Sequence, residues 1–303
     1  MKWNEIMLEK IASQQGKTIL ITGSNTGIGF ETARLLALKG ADIIIACRNQ
    51  EKGQQALADL RAKVPGVQAS LVQLDLANLE SVRQCAAEII ENHPTLDALI
   101  NNAGLAMPPL QKTADDFEMQ FGTNVLGCFA FTGLLMPLLV KTRGARVVWL
   151  SSVAHWRGTI DFDNLNAEKG YSSFGAYAQS KLANLMLAYE MQRRLEHSHI
   201  TMLSLAAHPG GTKSDLSRNN TLLKIITLFT SPFIQKTTEG AMPSMLATTE
   251  PELKGGEFFG PSGFMTIKGP AELQQSSKYS YDSVIASRLW QTCEQLTGVP
   301  FLN

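Results

Sequence analysis

The hydrophobic and polar positions of this chain fall into two alternating patterns, short apolar runs and longer amphipathic segments. The apolar runs predict strands at 19–21, 41–47, 68–74, 96–100, 146–150 and 200–205, with a seventh at 256–259. The amphipathic segments predict helices at 30–38, 50–63, 79–91, 114–140, 175–194, 237–247 and 283–296. Continuous apolar strands joined by helices are typical of a parallel sheet that is covered on both faces. We therefore predict an α/β fold, a doubly wound Rossmann-type sheet in the order 3-2-1-4-5-6-7 with helices on both faces.

The pattern changes after residue 211, but no linker marks a second domain. We interpret residues 1–303 as a single domain, in which 212–235 forms a substrate lid and 270–303 a C-terminal extension. The lid segment is rich in apolar residues, which suit either an apolar substrate or the packing of a surface helix. An apolar stripe near the N-terminus, from Trp3 to Ile11, suits packing on the domain better than weak contact with a membrane.

The charge of the chain is balanced, since Lys plus Arg and Asp plus Glu both number 27. A neutral chain offers no electrostatic attraction for nucleic acid or for an anionic membrane. The four cysteines lack the spacing of a metal site, so we expect reduced core residues and no metal. The N-terminus lacks the apolar core of a signal peptide, and the apolar stretch 125–140 is too short for a membrane span. These features predict a cytoplasmic protein without a transmembrane segment.

A glycine-rich turn, Thr22–Gly29, joins the first strand to the first helix. The free N–H groups of a first helical turn, together with the helix dipole, attract anions. Glycines permit the tight turn, the approach of a pyrophosphate to the main chain and the close packing of helix on strand. The turn therefore predicts a dinucleotide site, and its candidate contacts are Gly23, Ser24, Asn25, Thr26, Gly27, Ile28 and Gly29.

Further candidates follow the next strands, because ligands of open parallel sheets lie at the carboxyl ends of the strands. No acid follows strand two, whereas Arg48 does, and an arginine can hold a 2′-phosphate. This favours NADP over NAD. Asp75 suits either the adenine amino group or a helix N-cap. The candidates after strands two, three and four are Arg48 and Asn49, Asp75 and Leu76, and Asn102, Ala103 and Gly104.

The chemistry-bearing candidates follow strand five and lie on the next helix. Ser151 and Ser152 come directly after the strand, and Tyr177 and Lys181 stand four residues apart, on one helical face. We expect the Lys181 ammonium to lower the pKa of Tyr177 from its usual value of about 10 and so to tune a proton donor for carbonyl chemistry.

In combination these motifs resemble the short-chain dehydrogenase/reductase family. The glycine turn, 101–104, Ser152, the Tyr177/Lys181 pair and 208–210 occur in the order of that family over residues 16 to 300. The segments 46–53, 151–155, 180–184, 231–233 and 288–290 are most similar to its retinol dehydrogenase-like branch, which includes the WW-domain oxidoreductase and protochlorophyllide-reductase-like proteins.

The resemblance implies roles for individual residues. Tyr177 would be the acid/base, Lys181 would lower its pKa and bind the nicotinamide ribose, and Ser152, preferred to Ser151 by its spacing, would hydrogen-bond the substrate oxygen. Asn124 matches the residue that supports a proton-relaying water; otherwise it is a polar residue bonding its own helix. The nicotinamide contacts implied are Pro209, Gly210 and Thr212.

These expectations describe an NADP-dependent oxidoreductase that moves a hydride between the nicotinamide and an alcohol or carbonyl substrate. The alternatives are an NADP-binding sensor without catalysis and a light-dependent reductase of a tetrapyrrole double bond. A small-molecule substrate is the expected partner, and the helices 114–140 and 175–194 are a candidate surface for pairing of two chains. We assign no catalytic role to His155 or His208.

Overall fold

The computed structural model describes residues 3–212 and 235–302, and its centre is one eight-stranded sheet. The strands are β1 (Thr18–Thr22), β2 (Asp42–Cys47), β3 (Ala69–Gln73), β4 (Ala98–Asn101), β5 (Arg146–Leu150), β6 (Leu203–Ala207), β7 (Phe258–Pro261) and β8 (Ala271–Leu273). Their order is β3-β2-β1-β4-β5-β6-β7-β8. The predicted order of seven strands is confirmed. The eighth strand was not predicted, and it pairs antiparallel with β7 at the edge.

Helices cover both faces of this sheet, as predicted. They are α1 (Trp3–Lys10), α2 (Gly27–Leu38), α3 (Gln50–Lys63), α4 (Leu79–Asn92), α5 (Met119–Lys141), α6 (Ser173–His197), α7 (Thr237–Thr249) and α8 (Ser283–Thr297). Alternate residues of β1 point to opposite faces, so that Ile19 and Ile21 pack with α2 and α7, whereas Leu20 packs with α4, α5 and α6. Each face therefore has its own apolar core.

The functional edge of the sheet is set by its topology. β1 pairs in parallel with β2 on one side and β4 on the other, so the chain winds outward in both directions from β1. A crevice opens at such a switch point, beyond the carboxyl ends of the strands. The segments that follow β1, β4, β5 and β6 meet there.

The long helix α5 differs from its prediction at its N-terminal end. It begins at Met119, five residues later than expected, and contains a π-helical section, Gly122–Gly127. The preceding residues form a turn in which Asp116 has a left-handed φ of 65° and the Asp115 carboxylate accepts the Leu79 N–H at 2.9 Å. Glu118 then caps the helix by accepting two main-chain N–H groups. A long-range hydrogen bond therefore overrides the local helical pattern.

The same helix is longer than the apolar stretch seen in the sequence. Met119–Lys141 spans 23 residues and is long and apolar enough to cross a membrane by composition alone, so the argument from length was wrong. However, 83% of its apolar window is buried inside the protein. α5 therefore packs as a core helix, between α4 and the C-terminal elements.

The C-terminal residues are built into the domain. β8 extends the sheet, and α8 packs against α5 and α6. Phe129 of α5 lies 4.9 Å from Trp290 and 4.8 Å from Phe301, measured between ring centroids. The Arg194 guanidinium donates to the Leu302 carbonyl. The chain's own C-terminal residues therefore cover part of the α5 and α6 surface that was the candidate for pairing of two chains.

Candidate active site

The glycine turn is shaped by main-chain conformations that other residues avoid. Gly23 and Gly27 have φ values of 66° and 59°, in the left-handed region. A Cβ on Gly23 would lie 2.9 Å from the Ala103 Cα, and one on Gly29 would lie 2.7 Å from the Gly23 carbonyl oxygen. A Cβ on Gly27, by contrast, would meet no atom within 4 Å. The turn therefore packs tightly against the sheet and leaves open space at Gly27, the first residue of α2, where the main chain could be approached by a pyrophosphate.

The other residues of the turn divide between structure and surface. The Ser24 hydroxyl is buried and donates to the Ile21 carbonyl at 2.7 Å, so it closes the turn from within. Thr26 is the N-cap of α2 and has an extended backbone conformation. Its side chain is exposed, and that of Asn25 is half-buried. Ile28 is buried in the core under the helix. The surface on which an anion is predicted to bind is therefore made mainly of the main chain of this turn.

The segment after β4 braces the glycine turn. The Asn102 amide donates to the Thr22 carbonyl at 2.7 Å, and the Ala103 N–H donates to the Thr22 hydroxyl at 2.9 Å. A Cβ on Gly104 would lie 3.1 Å from the Asn124 Oδ1 and 3.3 Å from the Lys181 Nζ. These small residues therefore join the predicted cofactor surface to the catalytic candidates.

The candidates after β2 and β3 lie at the same edge. Arg48 is exposed, and within residues 3–212 and 235–302 its guanidinium forms no ion pair. Asn49 caps α3 by accepting the Lys52 N–H at 2.8 Å. The Asp75 carboxylate accepts the Ala77 N–H at 3.0 Å, whereas the N-cap of α4 is Asn78. Asp75 therefore stabilises a local turn and is not the cap.

Leu76 contributes its main chain to the site. Its side chain is buried, and its carbonyl lies against Gly127, where a Cβ would collide with the oxygen. The glycine therefore lets the segment after β3 approach the π-helical section that carries Asn124.

The catalytic candidates Ser152, Tyr177 and Lys181 converge from two segments, the loop after β5 and the helix α6. The Ser152 side chain lies close enough to the Tyr177 hydroxyl to act on its pKa, and the Lys181 Nζ lies 5.9 Å from the centroid of the Tyr177 ring. Lys181 is buried and donates to the Leu150 carbonyl at 3.1 Å. The structure therefore brings Ser152, Tyr177 and Lys181 together at the carboxyl end of β5.

The two adjacent serines face different surroundings. The Ser151 hydroxyl is buried and donates to the Lys181 carbonyl at 2.8 Å. Ser152 is the N-cap of a short 3₁₀ helix, Val153–Arg157, and its hydroxyl accepts the Ala154 N–H at 3.2 Å while contacting Tyr177. Ser151 therefore fastens β5 to α6, and Ser152 faces the site.

The expected pKa of Tyr177 was wrong in direction. The side chain is half-buried, and this burial raises the pKa of Tyr177, with only the neighbouring Ser152 side chain acting in the lowering direction. Burial also lowers the pKa of Lys181 to about 8. Desolvation therefore outweighs the attraction between phenolate and ammonium on which the expectation rested.

Asn124 lies in the π-helical section and bonds to other segments, not to its own helix. It accepts the Leu105 N–H at 2.9 Å, and its amide donates to the Leu105 carbonyl and to the Ser180 hydroxyl, each at 3.0 Å. Ser180 in turn donates to the Tyr177 carbonyl at 2.8 Å. Asn124 thus holds the segment after β4 against α6 at Ser180, which lies between Tyr177 and Lys181 in the helix. π-Helical sections are frequent at functional sites.

The segment after β6 supplies the last candidates. Gly210 has a left-handed φ of 68°, and the Pro209 carbonyl accepts the Gln235 amide at 2.6 Å. Thr212 and Gln235 form a parallel bridge at the two ends of the predicted lid. The remainder of the lid, 213–234, lies outside the described residues.

Two residues that were not predicted as site residues support the site. The Asn184 amide donates to the Leu150 carbonyl at 3.0 Å, the same oxygen that Lys181 contacts. Gln235 holds the Pro209 carbonyl from the far end of the lid. The pairing of residues so far apart in the chain is set by the fold alone, although Asn184 belongs to one of the segments that carry the family resemblance.

His155 and His208 are buried beside this site. The Nδ1 of His155 lies 2.7 Å from the Ser152 carbonyl oxygen, and the Nδ1 of His208 accepts the Gly210 N–H at 3.3 Å. Burial lowers the pKa of both imidazoles, to about 3 for His208. Among the described residues there is no cluster of His, Cys, Asp and Glu that could hold a metal.

The arrangement combines a main-chain anion surface with a hydroxyl pair and a buried amine. A bound carbonyl oxygen could receive hydrogen bonds from the Ser152 and Tyr177 hydroxyls together, which stabilises negative charge on that oxygen. Such a site suits proton transfer to or from an alcohol oxygen beside a bound dinucleotide.

Comparison with known proteins agrees with this geometry. Residues 17–222 match the short chain dehydrogenase family. The chain is 40% identical to mouse retinol dehydrogenase 12 over 286 residues, covering 94% of this chain and 87% of that protein, and 37% identical to human retinol dehydrogenase 14 over 303 residues, with the same coverage.

Solved structures show the same similarity. A putative uncharacterized protein from Mycobacterium Paratuberculosis aligns with a TM-score of 0.81 at 36% identity, over 97% of this chain and 98% of that one. A short chain dehydrogenase from Shigella flexneri, complexed with NADP, aligns with a TM-score of 0.63 at 26% identity, over 82% and 98% of the two chains. The chain therefore belongs to the short-chain dehydrogenase/reductase family of oxidoreductases.

Proposed function

We propose that this protein is an NADP-dependent oxidoreductase that interconverts an apolar alcohol and its carbonyl compound, with Tyr177 as the acid/base. The observation that carries the proposal is the convergence of Ser152, Tyr177 and the buried Lys181 at the end of β5, next to the segment after β4 that braces the glycine turn. When bound, the nicotinamide supplies or accepts the hydride. The chain itself supplies position, hydrogen bonds and a proton.

Each catalytic side chain has a distinct task in this scheme. Tyr177 donates its proton to the substrate oxygen during reduction and removes one from the alcohol during oxidation. Ser152 donates to the same oxygen and stabilises the charge that develops there. Lys181 is poised by burial to exchange a proton near neutral pH, since its pKa falls to about 8. Asn124 keeps the helix that carries Tyr177 and Lys181 against the segment after β4.

The cofactor proposal rests on three features of the chain. The main chain of the glycine turn would hold the pyrophosphate, Arg48 would pair with a 2′-phosphate, and the segment 209–212 would contact the nicotinamide. The exposed guanidinium of Arg48 at the end of β2 favours NADP, because arginine binds phosphate bidentately. The NADP complex of the related Shigella protein supports the same choice.

The substrate proposal rests on the relatives and on the lid. Proteins named retinol dehydrogenase are 36–40% identical to this chain, and retinol is a long apolar alcohol. The sequence of 213–234 contributes apolar side chains such as Leu222, Ile226 and Phe229. We therefore propose an apolar alcohol or aldehyde as the substrate class.

Replacement of Tyr177 by Phe tests the proposal directly. A thermal-shift comparison of NADP with NAD first identifies the better cofactor, and a panel of aldehydes, ketones and quinones then identifies a substrate. Tyr177→Phe should lower kcat roughly 100- to 10,000-fold, because the proton donor is lost. NADPH binding should stay nearly unchanged.

The matched control is Tyr279→Phe, which removes the hydroxyl of a half-buried tyrosine outside the site. It should keep wild-type turnover. Normal turnover by Tyr177→Phe would remove the acid/base assignment. Binding of NADPH without turnover of any substrate by the wild-type protein would favour the sensor alternative, and turnover only in light would favour double-bond reduction.

A further inference from the structure

His155 contacts the main chain of Ser152 twice. Its N–H donates to the Ser152 carbonyl at 3.0 Å, as expected in a 3₁₀ turn, and its Nδ1 lies 2.7 Å from the same oxygen. A carbonyl oxygen can only accept, so Nδ1 must carry the proton. The imidazole therefore holds the residue that faces Tyr177.

The other ring nitrogen contacts the C-terminal part of the chain. With the proton on Nδ1, Nε2 is an acceptor, and it receives the Ser277 N–H at 3.3 Å. Ser277 is buried and lies 122 residues further along the chain. His155 thus joins the loop after β5 to the segment after β8.

This C-terminal segment is itself fixed to the helix that carries Tyr177. The Tyr189 hydroxyl of α6 is hydrogen-bonded to the Ser276 hydroxyl at 2.8 Å, and the Tyr189 ring stacks on Tyr281 with centroids 5.0 Å apart. The connections therefore form a closed path, from α6 through Ser276 and Ser277 to His155, then to Ser152 and back to α6 at Tyr177.

The burial of the imidazole keeps it neutral, and its two hydrogen bonds set its orientation. His155 is 1% exposed, and its ring meets Phe258 edge-on at 5.6 Å. Burial lowers the pKa of His155, although the Ser152 hydrogen bond acts in the opposite direction. A neutral ring is the form that can donate at one nitrogen and accept at the other.

We propose that His155 is a positioning residue: by donating to the Ser152 carbonyl and accepting the Ser277 N–H, it uses the C-terminal segment to hold the Ser152 hydroxyl against Tyr177. The inference rests on the proposed function, in which these two hydroxyls bind the substrate oxygen. Removal of the imidazole frees the 3₁₀ turn that Ser152 caps, so the Ser152 hydroxyl loses its fixed orientation. Even a small displacement of a group that must hydrogen-bond the transition state lowers the reaction rate strongly.

His155→Leu and His155→Asn test this role by removing different numbers of the imidazole's hydrogen bonds. Leu removes both side-chain hydrogen bonds, whereas Asn keeps an N–H donor near the place of Nδ1. We expect His155→Leu to lower kcat roughly 10- to 100-fold with little change in the KM for NADPH, and His155→Asn to recover most of that loss. Phe258→Leu is the control, because it disturbs the packing on the same ring without removing its hydrogen bonds, and it should retain wild-type kcat.

Ser277→Pro removes the other partner of the hydrogen bond to His155 Nε2, and it provides a second test if His155→Leu does not fold. Ser277 has φ −59°, which proline adopts, so the substitution removes the N–H donor with little backbone change. Its kcat is compared with that of Ser277→Ala, which keeps the N–H. We expect a several-fold lower kcat for the proline variant.

NMR of ring-labelled tyrosine gives a readout independent of turnover. The Tyr177 resonance, assigned with Tyr177→Phe, should shift in His155→Leu and Ser277→Pro but not in Phe258→Leu. Wild-type kcat together with an unmoved Tyr177 resonance in both variants would overturn the proposal, and so would an equal loss of NADPH binding and kcat. If the wild-type protein turns over no substrate while the Tyr177 resonance still shifts as expected, the proposed function fails and the positioning role stands.

Discussion

The glycine turn and the catalytic cluster lie at the same edge of the sheet but are held in different ways. The turn is held through its main chain: the Ser24 hydroxyl donates to the Ile21 carbonyl, and the Gly23 N–H donates to the Ala46 carbonyl of β2 at 2.7 Å. The segment after β4 adds a second brace, since the Asn102 amide donates to the Thr22 carbonyl. In the proposed cofactor site this main chain holds the pyrophosphate, so few side chains need to be placed.

The catalytic cluster depends on contacts between distant parts of the chain. Lys181 is held by the Leu150 carbonyl 31 residues away, and Ser180 is reached by Asn124 across 56 residues. The cluster also buries an amine that water would otherwise solvate, whereas the turn buries no charge. The difference indicates that the turn is a stable part of the fold, while the cluster is assembled by the fold at a cost in stability.

The largest expected effect follows from the cost in stability of burying the Lys181 amine. Lys181→Met should remove catalysis yet stabilise the protein at pH 7, measured without cofactor. Burial lowers the pKa of Lys181 from 10.5 to about 8, which corresponds to roughly 3 kcal/mol. Part of this gain is offset by the lost hydrogen bond to Leu150, whose carbonyl still accepts from Asn184. Denaturant unfolding of both proteins measures the difference.

The sign of the pH dependence sharpens this test. Between pH 8 and 10.5 the unfolded chain binds a proton at Lys181 that the folded chain does not, so wild-type stability rises with pH in that window. Below about pH 8 the full penalty applies, and above 10.5 it disappears. The advantage of Lys181→Met should therefore shrink from pH 8 to 10.5. The matched control is Lys141→Met, at an exposed position at the end of α5. A Lys181→Met variant less stable than wild type at pH 7 would contradict the assignment of a destabilising amine.

The difference between local patterns and contacts of distant segments also explains how much could be predicted from the sequence. Strands β1 to β7 and the glycine turn were read from local patterns, and the parallel order follows from connection rules. The start of α5 was misplaced because the Asp115 contact with Leu79 is invisible locally. β8 has only three residues and is defined by its pairing with β7. Elements that depend on a distant partner are therefore the ones that the sequence pattern missed.

For the site, the sequence identified residue types but not their surroundings. The Tyr177/Lys181 spacing placed both side chains on one helical face, and the structure brings them together. The pKa of Tyr177 could not be predicted, because it depends on how deeply the hydroxyl is enclosed. The choice of Ser152 over Ser151 rested on the family resemblance, because the residues around the two serines do not distinguish them.

A second prediction breaks the turn itself. In Gly29→Ala, the new Cβ would collide with the Asn102 amide and displace it from Thr22. We expect a loss of about 1–3 kcal/mol in the free energy of unfolding and a marked loss of NADPH affinity, because the pyrophosphate surface moves. Calorimetric titration with NADPH and denaturant unfolding measure the two effects.

Gly133→Ala is the matched control for this overpacking. Its Cβ would lie 2.5 Å from the Phe301 ring, on the face covered by the C-terminal residues and away from the turn. It should lose a similar amount of stability while NADPH affinity is retained. If both variants lose affinity equally, the turn has no special role in binding and the cofactor contacts must be sought elsewhere.

The smallest expected effect separates the two serines. Ser151→Ala removes one buried hydrogen bond, to the Lys181 carbonyl, and should cost about 1 kcal/mol of stability with little change in kcat. Ser152→Ala removes the donor to the substrate oxygen and should lower kcat roughly 100- to 1,000-fold. Because the serines are adjacent and share one strand end, any general disturbance of β5 would affect both variants alike. A kcat loss in Ser151→Ala as large as that in Ser152→Ala would therefore show that the connection of β5 to α6, and not the Ser152 hydroxyl, limits the reaction.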